Sequence, residues 1–147
     1  MSAAHGADFD AALVAVMGDL ARDIDALHAC LIEERLALDA TDPQALDAAT
    51  RAKGELLDRI ESLDVERRQL SEAASLDSLA DARWVVVFER LRECRQLNET
   101  NGRIVGQRIG HVRQALALIS GDSPGGSTYG RNGEAKINLR SATLAQV

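Results

Sequence analysis

The groups with which catalysis or metal binding could begin are three histidines, two cysteines and 23 acidic residues in a chain of 147. A metal site needs ligands at short, recurring spacings, such as two Cys or two His within one helical turn or a tight loop. His5, His28 and His111 are far apart, and no Cys or acidic pair accompanies them at ligand spacing. His111 reads as a surface or boundary histidine of a helix. Cys30 and Cys94 fit neither a zinc nor a redox spacing and read as reduced thiols of a cytosolic protein. The carboxylates are surface charges of a solvated helical protein. No catalytic constellation results. The sequence predicts a binding protein without enzymatic activity, cofactor or metal.

The polar groups that stand out are amides. Asn98, Asn101 and Gly102 interrupt an apolar ladder, Trp84, Phe88, Leu91, Arg95, Asn98, Gly102, Val105, Ile109, Val112, Leu116 and Ile119. The 4-3 spacing keeps these residues on one face of a long helix. An Asn on such a seam must find a hydrogen-bond partner or lose stability. A Gly there costs about 1 kcal/mol against Ala. Two roles are open for the amides: setting helix register, or binding a partner's backbone. Gly102, Gly106 and Gly110 recur every fourth residue and allow close approach of another helix.

Elements that position these residues follow from composition and periodicity. Hydrophobic content is 46 % but aromatic content only 3 %, with two prolines. That points to an all-α protein whose core is Leu, Ile, Val and Ala. A first helix over 8–39, with Asp8 as its cap, has the seam Leu13, Met17, Leu20, Ile24, Leu27, Leu31, Glu34 and Leu38. Asp42 and Pro43 then open a second helix, as N-cap and first helical residue. Thr41 with Gln44 is the alternative capping box. The second helix, over 43–72, has the seam Leu46, Ala49, Lys53, Leu56, Ile60, Leu63, Arg67 and Leu70. Lys53 and Arg67 either lay their stems on the seam and keep their charges in water, or pair with acids of the first helix such as Glu34. A third helix, over 78–120, begins at a Ser78 cap and ends at Gly121.

The expectation is an antiparallel up-down-up three-helix bundle or coiled coil over 1–120, with a flexible C-terminal tail over 121–147. The third helix outlasts the second by about a dozen residues, or about 18 Å. Its apolar face there needs a cover from a partner helix, a second subunit or the tail. Within the tail, Ile137, Leu139, Leu144 and Val147 are the apolar positions able to order on binding.

Charge and hydropathy exclude other classes. The net charge is −6. Arg131, Lys136 and Arg140 outnumber Asp122 and Glu134 by one, which leaves the helical part at −7. An acidic body argues against nucleic acid or anionic membrane as a non-specific partner. The N-terminus lacks a basic stretch before its apolar residues and is not a signal peptide. Trp84 to Phe88 is the longest strongly apolar run and is too short to insert in a membrane.

With these motifs in order, the chain resembles the FlgN-type flagellar export chaperones over nearly its whole length. The resemblance rests on Lys53, Leu56-Leu57, Arg67 and Leu70, then on 94–102 (CRQLNETNG) with its Asn-x-x-Asn-Gly, and on Tyr129-Gly130 with Gly133. It implies a cytoplasmic, non-enzymatic chaperone that binds the C-terminal helices of hook-associated (hook-filament junction) proteins and delivers them to the export gate. Mapped onto this chain, client binding would fall on Val105, Ile109, Val112, Leu116 and Ile119 and on the tail positions Ile137, Leu139 and Leu144. Docking to the cytoplasmic domain of the export-gate membrane protein would fall on Tyr129 and Gly130. Asn98, Asn101, Gly102, Lys53 and Arg67 would set helix register. The alternative is a structural or regulatory coiled-coil protein acting by self-association, and a weak homodimer suits either.

Overall fold

The computed structural model describes residues 2–121, which form three long helices in the order α1 (Ser2–Ala40), α2 (Pro43–Ala74) and α3 (Arg83–Ser120), with a single 3₁₀ turn at Ser78–Ala80. The chain divides after His111 into two units. Tyr129, Gly130, Ile137, Leu139 and Leu144 lie outside the described residues.

α1 begins at Ser2, six residues before the expected cap at Asp8. The Ala-rich opening carries the helix further back than a lone capping residue suggests, despite Gly6. α1 closes on Thr41, whose φ is 52°. Thr41 N–H donates to Leu38 O at 3.2 Å and Asp42 N–H to Ala37 O at 3.0 Å, which together make a Schellman closure. Asp42 then caps α2, its carboxylate accepting from the Gln44 and Ala45 N–H groups, both at 3.1 Å. With Pro43 at the first helical position, the Asp42 cap is used and the Thr41–Gln44 box is not.

α2 runs two residues past its expected end, to Ala74, because Ser71 to Ala74 remain helical until Ser75 turns left-handed at φ 54°. A second Schellman closure follows, Ser75 N–H to Glu72 O at 3.1 Å and Leu76 N–H to Ser71 O at 3.0 Å. Ser78 does not cap α3. Asp77 caps the 3₁₀ turn through Leu79 N–H, and α3 starts at Arg83. Gly121 ends α3 with φ 75°.

α1 and α2 form a closely packed antiparallel hairpin. α3 returns parallel to α1 in a fixed register. Cys94 meets Ile24, Asn101 meets Leu31 and Arg108 meets Leu38, each pair 70 residues apart and each step seven residues further along. The core of the first unit is the whole expected seam of α1, from Leu13 to Leu38, all buried, including Glu34. α2 contributes Ala49 and Arg67 as buried residues, and Leu56, Ile60, Leu63 and Leu70 as half-buried ones. α3 contributes Trp84, Val87, Cys94 and Asn101.

The α3 seam differs from the expected ladder at every second rung. Trp84, Leu91, Asn98 and Val105 are inward or half-buried as expected, but the alternate positions are Val87, Cys94, Asn101 and Arg108. Their neighbours Phe88, Arg95, Gly102 and Ile109 are exposed. Both ladders obey a seven-residue repeat. α1 selects the other one because Cys94, Asn101 and Arg108 each reach an α1 carbonyl. Gly102 therefore lies off the buried seam, and a Cβ there would meet nothing within 4 Å.

Candidate functional site

Two features of the described residues bear on function: a buried polar cluster joining all three helices, and an exposed apolar stripe near the end of α3.

Glu34 of α1 anchors the cluster. It is 5 % exposed. One carboxylate oxygen accepts from Lys53 Nζ of α2 at 2.7 Å, and the other from Asn101 Nδ2 of α3 at 2.8 Å. Lys53 also donates to Asn98 Oδ1 at 3.3 Å. Asn101 Nδ2 additionally donates to Leu31 O at 3.0 Å. Two acceptors facing one amide group fix its orientation, since the oxygen could not occupy that place. A buried charge costs several kcal/mol unless it is paired and hydrogen-bonded, and Glu34 is both. The sequence left Lys53 open between a snorkelled stem and a pair with Glu34. The geometry is the pair.

Arg67 is different. Its guanidinium is buried and donates to Asp64 of its own helix at 2.9 Å and to Ser78 Oγ at 2.7 Å. It also lies 5.7 Å from the centroid of the Trp84 ring. The α1 partner considered from sequence is not used. Arg67 instead holds the α2–α3 connection against the start of α3.

Arg108 is not on the ladder read from sequence, yet its guanidinium donates to Leu38 O. A cation at that place gives the Leu38 carbonyl, which already accepts from Thr41 N–H, a second donor and complements the C-terminal end of the α1 dipole. The signal was the repeat 24/94, 31/101, 38/108, invisible until the register was known.

The cluster holds charges and amides in place and offers no nucleophile. Cys30 Sγ–H donates to Ala49 O at 3.2 Å and Cys94 Sγ–H to Ile24 O at 3.7 Å. Burial pushes both thiols above their ordinary value of 9.0, with Glu33 and Glu34 adding to the effect at Cys30 and with Glu93 and Asp25 adding at Cys94, where Arg90 opposes it. Neutral buried thiols are inert. His28 Nε2 sits 3.2 Å from Glu93, and His111 is exposed. Among the described residues, no three His, Cys, Asp or Glu side chains gather where they could hold a metal ion. No described helix is long and apolar enough to cross a membrane.

The second feature is the apolar stripe of α3. In the first unit Val105 is half-buried and Ile109 is 41 % exposed. In the second, Val112, Leu116 and Ile119 are 58, 57 and 84 % exposed. Helical spacing keeps Val105 and Ile109 on one side of the helix in the first unit, and Val112, Leu116 and Ile119 on one side of it in the second. Leu118, exposed as well, widens the apolar surface.

The model of the FlgN protein family matches residues 10–137. The Flagella synthesis protein FlgN of Salmonella typhimurium (strain LT2) is 25 % identical over 130 residues, which cover 87 % of this chain and 88 % of the relative. Its namesake from Salmonella typhi matches with the same identity and coverage. No solved structure matches the chain.

Proposed function

We propose a function from one premise: the chain belongs to the FlgN protein family. Its relatives are named for flagella synthesis, and we assign this chain to flagellum assembly as well. Within that process we assign it the part of a cytoplasmic, non-enzymatic export chaperone for hook-associated proteins. The observation that carries this reading is the exposed apolar stripe of α3. Exposed contiguous apolar surface marks a partner site. A stripe at helical spacing suits the apolar face of another helix.

In this account a client's C-terminal amphipathic helix lies along Val105, Ile109, Val112, Leu116 and Ile119. Ile137, Leu139 and Leu144 add apolar contacts from the tail. Tyr129, with Gly130, serves a separate step, docking to the cytoplasmic domain of the export gate. Tyrosine anchors interfaces well because it buries a large ring with little rotamer freedom to lose. Lys53, Glu34, Asn98 and Asn101 serve the scaffold, by holding α3 in one register against the hairpin. Ordering a segment on binding lowers affinity, and moderate affinity suits a chaperone that must release its cargo.

The same stripe also suits a second copy of the chain, which makes self-association the alternative. Light scattering, combined with binding of a C-terminal peptide from a hook-filament junction protein, separates the two. The chaperone account expects peptide binding by the full chain and its loss when the chain is cut after Ser120. A stable dimer at micromolar concentration without peptide binding would favour the structural role instead.

A further inference from the structure

A second apolar surface lies at the start of α3, and the client account does not use it. Five large apolar residues between positions 76 and 88 are exposed: Leu76 by 45 %, Leu79 by 50 %, Val85 by 58 %, Val86 by 69 % and Phe88 by 39 %. Exposed leucines in a connection are unremarkable when the connection is loose, but this one is braced. Ser71 Oγ–H donates at bonding distance to Leu76 O. Ser78 N–H donates to Ser71 Oγ at 3.3 Å, and Arg67 to Ser78 Oγ at 2.7 Å. Asp77 caps the 3₁₀ turn at 3.1 Å. These bonds hold Leu76 and Leu79 outward on a rigid platform. Preorganised contacts lose less entropy on binding.

Beside Leu76 is a depression of about 210 Å³ between the connection and α1. Leu13, Val14, Met17 and Leu76 give it an apolar side and Asp10, Asp77, Ser78 and Asp81 a polar one, with no Lys or Arg among the described residues that line it. It is smaller than the roughly 300–1,000 Å³ of a small-molecule pocket. It has room for one long side chain. Apolar walls beside carboxylates fit a side chain whose neighbours are cationic.

We infer that the surface formed by Leu76, Leu79 and the depression beside Val14 is a docking site for a basic amphipathic helix of a partner protein, separate from the apolar stripe at the end of α3. An apolar side chain of that helix fills the depression, and its Lys or Arg residues face Asp10 and Asp77. Attraction between exposed charges is screened by salt, so the contact weakens as ionic strength rises. Because the site is distinct from the client stripe, its failure and the failure of the chaperone account are separable.

The test uses the full chain and two synthetic helical peptides, one of Leu and Lys and one of Leu and Glu at the same positions. Backbone amide shifts and Trp84 emission report where each binds. The Leu/Lys peptide is expected to shift residues 10–17 and 76–88, and to bind at least about tenfold more tightly than the Leu/Glu peptide. Leu76→Ser or Leu79→Ser is expected to weaken it about tenfold with unchanged thermal melting. Asp10→Lys, on an exposed helix position, is expected to weaken it without removing any apolar contact. Equal binding of the two peptides, shifts confined to 105–119, or a wild-type dimer that Leu76→Ser dissolves would each overturn the inference.

Discussion

Asn101 donates from its amide nitrogen to the carbonyl oxygen of Leu31, 3.0 Å away, and so ties the third helix to the backbone of the first. The same nitrogen reaches Glu34, whose second oxygen accepts from Lys53. A single amide thus joins a helix backbone to a buried ion pair. A seven-residue repeat alone permits α3 to slide by one heptad along α1 with its apolar residues still inward. Sliding would take Asn101 away from Glu34 and leave a buried carboxylate short of a partner. The cluster makes one register better than its neighbours.

Removing the partner of a buried charge costs more than removing the pair. Lys53→Met leaves Glu34, at 5 % exposure, without its cation. We expect a loss of about 3 kcal/mol in urea unfolding. The double change Lys53→Met with Glu34→Met should recover much of that loss, since no unpaired charge remains. A double change as damaging as the sum of the two single ones would show that the pair is not coupled.

Asn101→Ala should destabilise by about 1–3 kcal/mol, the cost of leaving a buried acceptor unmet. Asn98, half-buried and bonded only to Lys53, should cost less. Gly102→Ala should be neutral to stabilising, because a Cβ there meets open space and Ala favours helix by about 1 kcal/mol. Loss of stability in Gly102→Ala would contradict its place off the seam.

Thr41 occupies the left-handed region at φ 52°, where a β-branched residue is strained. Thr41→Gly keeps the Schellman closure and removes that strain. The expected gain is about 1 kcal/mol in unfolding free energy.

The buried thiols make stability fall in alkali. Both folded values lie above the ordinary 9.0, chiefly through burial. A thiol that resists ionisation in the folded chain binds more protons than in the unfolded chain between those two values, so unfolding becomes easier as pH rises. The contribution is complete below about pH 9 and is lost as pH climbs through the folded values. Urea midpoints between pH 8 and 10 should therefore decline less in the Cys30→Ala, Cys94→Ala double variant than in the natural chain.

How far the molecule is legible from sequence differs by helix. Every residue of the expected α1 seam is buried, but Val16, Cys30 and Ala37 are buried beside it, which the 4-3 spacing did not single out. α2 is as clear, including its two basic rungs. In α3 the repeat is readable but its alternate rungs are not. Phe88 and Ile109 are better apolar candidates than Val87 and Arg108, and nothing local reveals that Arg108 ends on an α1 carbonyl. The Glu34–Lys53 pair was one of two alternatives, decided by packing rather than by spacing. The two helix ends at Thr41 and Ser75 carried no glycine to announce them. The expected excess of about a dozen residues in the third helix is not found: α3 has 38 residues against 32 in α2, because α2 runs on to Ala74 and α3 starts only at Arg83. The apolar spacing of Val112, Leu116 and Ile119 was legible, and those side chains are exposed.

Client binding and scaffold stability should separate under mutation. Ile109→Ser and Leu116→Ser alter residues already 41 and 57 % exposed, so melting should change little. Binding of a client C-terminal peptide should weaken by about tenfold or more. Tyr129→Ala should leave fold and client binding intact and weaken docking to the export gate. If client binding collapses in Tyr129→Ala, the proposed division between client and gate contacts is wrong.

The most direct test of the chaperone account is hydrogen exchange on the full chain, with and without a C-terminal peptide of a hook-filament junction protein. The account predicts slowed exchange confined to residues 104–147 when the peptide is present, with the Glu34–Lys53–Asn101 cluster unchanged. Exchange that is the same in both samples, with residues 104–120 already protected in the free chain, would contradict it and leave self-association as the role of α3.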